Sequence, residues 1–84
     1  MIVAVAIIHR GVVYSLPRPN RHHHVIRLIA ERTGADRVDG EQGFLDDLGN
    51  FLNRETALLH ALACGQVPPP KARSNRRLYS EDLW

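Results

Sequence analysis

From Ile2 to Ile8 the chain is an almost unbroken run of β-branched residues and alanine, with no polar position to show to water. Such a run marks a buried strand rather than an amphipathic element. Val12, Tyr14 and Leu16 then alternate with Val13 and Ser15, the period of two expected of a half-buried strand. The intervening His9-Arg10-Gly11 has hairpin length and supplies a glycine for positive φ. The pattern predicts an antiparallel hairpin whose first strand is central in its sheet.

The period changes after Pro17-Arg18-Pro19, which holds the backbone extended. Asn20 stands where a helix N-cap belongs. His22, Val25, Ile26 and Ile29 follow at i, i+3, i+4 and i+7, Ala30 and Thr33 extend the stripe, and Gly34 supplies a stop. Next, Gln42-Gly43-Phe44-Leu45 and Phe51-Leu52 flank Asp46-Asp47-Leu48-Gly49-Asn50, which has the composition of a hairpin turn. Asn53 caps a second helix with Ala57, Leu58, Ala61 and Leu62 on its apolar face and Gly65 at its end. The order is β-β-α-β-β-α. It predicts an α+β fold, a small antiparallel sheet with both helices on one face. The core expected from it sets Val25, Ile26, Ile29, Leu58, Ala61 and Leu62 against Val3, Val5, Ile7, Phe44 and Phe51 or their alternates.

Gln66 closes this single domain, residues 1–66. Residues 67–77, with Pro68-Pro69-Pro70 and then Lys71 to Arg77, have little to bury and are assigned to a stiff basic linker. Residues 78–84 carry large apolar groups again. Leu78, Tyr79, Leu83 and Trp84 make this end a docking tail, in cis or on a partner.

Eighty-four residues support one core of modest size, so stability is narrow or shared with a second copy of the chain. Cys64 is the lone cysteine, which excludes an intramolecular disulfide and a cysteine-rich zinc site and points to a reducing compartment. The Ile2–Ile8 run lacks a basic leader and is too short to span a bilayer, so no membrane association is expected.

Charge is segregated along the chain. Residues 9 to 37 hold six arginines against two acids, residues 38 to 60 one arginine against five acids, and the remainder four cations against two acids. A net charge of +2 distributed in this way attracts an anion locally without making a general polyanion binder.

The densest cluster is Arg18-Pro19-Asn20-Arg21-His22-His23-His24, with Arg27 one helical turn beyond. Cations at a helix start oppose the helix dipole, which favours acids there. A bound anion resolves the conflict, because free N–H groups, the dipole and adjacent guanidiniums together suit phosphate or carboxylate. The plain alternative is that these histidines are neutral and merely pack or face solvent. Consecutive histidines on a helix point about 100° apart and do not share one ion, so no metal or other cofactor is assigned. His23 and His24 with Arg21 and Arg27 also have the makings of an acid, base and cationic stabiliser for metal-independent phosphodiester cleavage. Nucleophile elbows and glycine-rich phosphate loops are absent, so no catalytic residue is assigned. Asp46 and Asp47 are read as turn formers. Few aromatic residues accompany the arginines, which weighs against nucleic-acid binding.

Several segments together carry a resemblance: Ser15-Leu16-Pro17-Arg18-Pro19-Asn20-Arg21-His22-His23, Val25-Ile26, Gln42-Gly43-Phe44-Leu45, Asn53-Arg54-Glu55, Gly65-Gln66 and the terminal Ser80-Glu81-Asp82-Leu83-Trp84. Over nearly its whole length the chain resembles a family of small proteins carried by tailed phages and prophages. The resemblance implies origin and compartment, the cytoplasm of a bacterial host, rather than mechanism. The function expected is that of a phage accessory protein binding a phosphate-bearing ligand through Arg18, Asn20, Arg21, His22, His23, His24 and Arg27. Nucleotides and nucleotide-derived host-defence signals are the candidate ligands. The rival readings are a protein-binding module that engages a host protein or a second copy through its tail, and a small phosphodiesterase or nucleic-acid-binding protein.

Overall fold

The computed structural model describes residues 1–67, 78–80 and 83–84. Its elements are β1 (Ile2–His9), β2 (Val12–Pro17), α1 (His22–Thr33), β3 (Glu41–Asp46), β4 (Phe51–Asn53) and α2 (Arg54–Ala63). This is the expected α+β fold in the expected order. The sheet is antiparallel with strand order β2-β1-β3-β4, so the most apolar strand is internal.

Local chemistry accounts for the turns. Arg10 and Gly11 both adopt positive φ, 51° and 79°, the combination a tight two-residue hairpin requires. In the β3–β4 turn Asp46 is the organiser: its Oδ1 accepts from the backbone N–H groups of Leu48 and Asn50, and its Oδ2 accepts from the Asn50 side chain. Asn53 caps α2 through Oδ1, which accepts from Thr56 N–H at 2.8 Å. Gly34 ends α1 in the left-handed region, and its N–H donates to the Ala30 carbonyl.

Strand parity divides the sheet into two faces. Val5 pairs with Leu16 and Phe44, and Ile7 with Tyr14 and Gln42, on the face that meets the helices. There α1 lies over β1 and β2, and α2 over β3 and β4. Val5, Ile7, Val25, Ile29, Phe44, Ala57, Leu58 and Ala61 form one buried cluster, with Ile26 and Leu62 packed at its margin. Two expected core positions differ. A register shift between Ile2 and Ala4 reverses parity at the start of β1, so Ile2 rather than Val3 joins the cluster. Phe51 pairs with Leu45 across the sheet, and this parity puts it on the opposite face.

The end of the chain belongs to the same core. The Gln66 carboxamide accepts from Ile2 N–H and donates to Ile2 C=O, each at 2.9 Å, imitating a strand partner at the end of β1. Val67, placed in the linker by composition, is buried in the cluster. The rest of that linker lies outside the described residues. Leu78 is fully buried, and its N–H donates to the Arg54 carbonyl. Tyr79 lies under the Arg54 guanidinium, 4.6 Å from ring centroid to Cζ. Leu83 and Trp84 pack at the cluster margin, and Trp84 Nε1–H donates to Asn20 C=O at 2.8 Å.

Leu78→Ala should therefore behave as a core truncation and cost about 2–5 kcal/mol in urea denaturation at fixed protein concentration. A cost under ~0.5 kcal/mol, the range of a surface change, would show that this residue does not pack as described.

Candidate functional site

The site expected at the β2–α1 junction is built on a short extended connection. Arg18 N–H donates to Val3 C=O, which ties the connection to β1. Asn20 does not cap the helix: its side chain donates to Pro17 C=O at 2.8 Å and its carbonyl receives Trp84. The N-cap is Arg21, in extended backbone, and its N–H donates to His24 Nδ1 at 2.8 Å. His24 thus fills at N3 the role usually given to glutamate or glutamine in a capping box. This leaves the first turn of α1 without an acid.

The three histidines part company. His22 turns into the core, 7% exposed, with Nε2–H donating to Gly43 C=O at 2.7 Å and its ring edge-on to Phe44 at 5.0 Å. It belongs to the apolar stripe that its spacing with Val25, Ile26 and Ile29 indicated, and it anchors the site. His23 is exposed and His24 half-buried, their ring centroids 4.0 Å apart. Because Nδ1 of His24 accepts the Arg21 N–H, a neutral His24 carries its proton on Nε2 and keeps a donor there.

Arg21 supplies the least satisfied group: its Nη1 is shielded from solvent and has no hydrogen-bond partner. A charged nitrogen in that condition is costly unless an acceptor arrives. Arg27 is exposed on α1, and its charge, like those of Arg21 and His23, is felt at His24. The structure therefore groups Arg21, His23, His24 and Arg27. It gives His22 and Asn20 structural partners and leaves Arg18 exposed on the approach. The tail docks at the same place through Trp84.

A second polar feature escaped the sequence. Arg54 at the start of α2 donates from Nη2 to Gln42 Oε1 and rests on Tyr79, and its Nε is buried without a partner. An open cleft of about 420 Å³ lies beside it, lined by Gly40, Glu41, Gln42, Asn53, Arg54 and Glu55. Two acids face the one cation there, so the lining is not that of an anion site. Its only sequence signal was Asn53-Arg54-Glu55, which carries no chemistry by spacing. Among the described residues, no three His, Cys, Asp or Glu are grouped to hold a metal ion. No helix among the described residues is long and apolar enough to cross a membrane.

The fold and this helix start define a small α+β protein with a histidine-rich, acid-free first turn. The whole chain, residues 1–84, matches the family described as Phage T4 y16D protein, and the protein belongs to that family. No curated protein and no solved structure matches it.

His24 is held below its ordinary pKa of 6.5, first by burial and then by the positive charges of His23, Arg27 and Arg21. Asp46 is also lowered, chiefly by the Asn50 backbone N–H, with the Asn50 side chain, Leu48 and His60 adding to this while burial opposes it. The two shifts act in different windows. The unfolded state takes up the His24 proton first, so stability falls as pH drops below about 6.5 toward the lower folded value. The Asp46 contribution is present above its ordinary 3.8 and disappears only in stronger acid. His24→Asn keeps an acceptor for Arg21 N–H without a titrating ring. The variant should lose less Tm than the unaltered protein between neutral pH and pH 5.5, with ~6.5 as the midpoint reference for an unfolded histidine. Equal losses would remove His24 from the acid sensitivity.

Proposed function

We propose that the protein is a phage accessory binding protein that captures a phosphate-bearing ligand at the first turn of α1. The observation that carries this is Arg21. Its guanidinium places a buried, unpartnered nitrogen beside a helix start whose first turn holds no acid. A phosphate oxygen would accept from that nitrogen, its charge would meet the positive end of the helix, and Nε2–H of His24 would donate without needing a protonated ring. Arg27 and Arg18 extend the attraction along the approach.

Binding is favoured over cleavage by the placement of the imidazoles. An acid and a base must act on two oxygens of one phosphate, with the phosphorus between them. His23 and His24 lie ring against ring at 4.0 Å, which leaves no room for phosphate between them, and His22 is committed to Gly43. The tail is a less suitable working surface, because Leu78 and Trp84 hold contacts within the chain. In a family of phage proteins, nucleotides and nucleotide-derived defence signals are the phosphate-bearing molecules to test first.

Phosphate should raise Tm above the value in chloride at equal ionic strength. A ligand at ten times its Kd adds about 1.4 kcal/mol to stability, and a domain of this size shifts by roughly 4–8 °C per kcal/mol. Arg21→Ala should abolish the increment, and a nucleotide panel should give a larger one than inorganic phosphate if a base and sugar are also read. Identical melting in phosphate and chloride, or an Arg21→Ala variant that still responds fully, would contradict the proposal.

A further inference from the structure

The peptide group between Asn20 and Arg21 is held from both sides. Its carbonyl accepts from Trp84 Nε1–H at 2.8 Å, and its N–H donates to His24 Nδ1 at 2.8 Å. The indole is a donor only, so this bond satisfies the ring completely. A hydrogen-bond relay therefore runs from the Trp84 indole through one amide into the His24 ring and ends at His24 Nε2–H. Each bond polarises the next, because a carbonyl that accepts makes the N–H of the same amide a better donor. The remaining polar groups of Asn20 are engaged elsewhere, since its N–H and its side-chain amide both donate to Pro17 C=O, at 3.1 and 2.8 Å.

The indole is delivered to this position from a fixed base. Leu78 and Ser80 are buried, and the Ser80 carbonyl accepts from the N–H groups of Leu83 and Trp84, each at 3.0 Å. Leu78 N–H in turn donates to Arg54 C=O at the start of α2. The end of the chain thus spans from one helix start to the other.

We propose that Trp84 is the positioning residue of the α1 site: docked on the Asn20 carbonyl, it fixes the peptide plane from which Arg21 and His24 are presented to the ligand. The inference rests on the reading of Arg21 as the phosphate-binding residue, and Trp84 acts through Asn20 rather than by touching the ligand. Rotation of this peptide plane is rotation about the N–Cα bond of Arg21, whose φ is −119°. With both of its polar groups bonded the plane has one orientation, and the Arg21 side chain leaves the backbone in one direction. The bond to Nδ1 also keeps the proton of neutral His24 on Nε2, where a phosphate oxygen would accept it. Without the indole N–H the Asn20 carbonyl is left unpaired at a part-buried position. Turning it toward water relieves that cost and draws Arg21 N–H away from His24. Tail docking and ligand binding are then linked, and each strengthens the other by the same factor.

Two variants remove the donor and keep the packing. Trp84→Phe retains an aromatic ring at the margin of the core. Benzothienylalanine at the same position, introduced by peptide ligation, retains the bicyclic shape with sulfur in place of N–H and serves should Trp84→Phe unfold. Three quantities are read at neutral pH: the Kd for inorganic phosphate, solvent exchange of the Arg21 amide, and the ¹⁵N shifts of the His24 ring, which report its tautomer. Phosphate Kd should rise about fivefold, the lower end of couplings between linked sites. The Arg21 amide should exchange faster while that of Ile7, in the internal strand, does not change, and His24 should move from the Nε2–H tautomer toward a mixture. A Trp84 that only fills space would lower Tm and leave the tautomer as it is. If the unaltered protein binds phosphate and both variants bind it with the same Kd, or if the His24 tautomer does not move, the positioning role is overturned and the Arg21 site stands. If the unaltered protein does not bind phosphate, the Arg21 site itself is overturned and this inference with it.

Discussion

The hydrogen bond from His22 Nε2–H to the Gly43 carbonyl couples the two halves of the molecule. It joins the first residue of α1 to the middle of β3, and the edge-on contact with Phe44 keeps the imidazole in that position. A buried hydrogen bond of this type contributes about 1 kcal/mol net, but losing one partner leaves a desolvated group at a cost of roughly 1–3 kcal/mol. Its larger effect is geometric. With His22 committed to the sheet, the helix has one rotation open to it, and His23, His24 and Arg27 are distributed outward from that fixed point. Arg21, the residue immediately before it, is drawn close enough to the domain for part of its guanidinium to be buried. Gly43 serves both faces: its carbonyl holds the helix start, and its missing side chain makes space for Phe51 behind it.

The elements that depend on local pattern were legible in the sequence. The Val25–Ile29 spacing, Gly34, Asn53 and the Arg10-Gly11 turn each act through neighbours within a few residues, and each appears where the pattern placed it. The readings that shifted depend on contacts distant in sequence. Nothing local announces the irregularity between Ile2 and Ala4, which moves Ile2 into the core and Val3 out of it. Asn20 is the better intrinsic cap, yet its carbonyl and side chain are taken by Trp84 and Pro17, and the cap passes to Arg21. Likewise His22 satisfied two patterns, the apolar stripe and the basic cluster, and the choice between them rests on a carbonyl twenty-one residues away. The carboxamide of Gln66 bridging both backbone groups of Ile2 had no signal except the Gly65-Gln66 pair in the family resemblance.

Charge segregation along the chain becomes segregation in space. The arginine-rich stretch contributes β2, its turns and α1, while the acidic stretch contributes β3, β4 and the start of α2. On the helical side this gathers Arg21 and Arg27 around the start of α1.

Arg21 and the first turn of α1 are the proposed phosphate site. Titration of the ¹⁵N-labelled protein with phosphate, followed by amide chemical shifts against a chloride control, tests this residue by residue. Saturable shifts should concentrate at Arg21, His23, His24 and Arg27 and leave the Arg54 cleft and the outer sheet face unmoved. Shifts that do not saturate, or that cluster around Gln42, Arg54 and Glu55 instead, would contradict it.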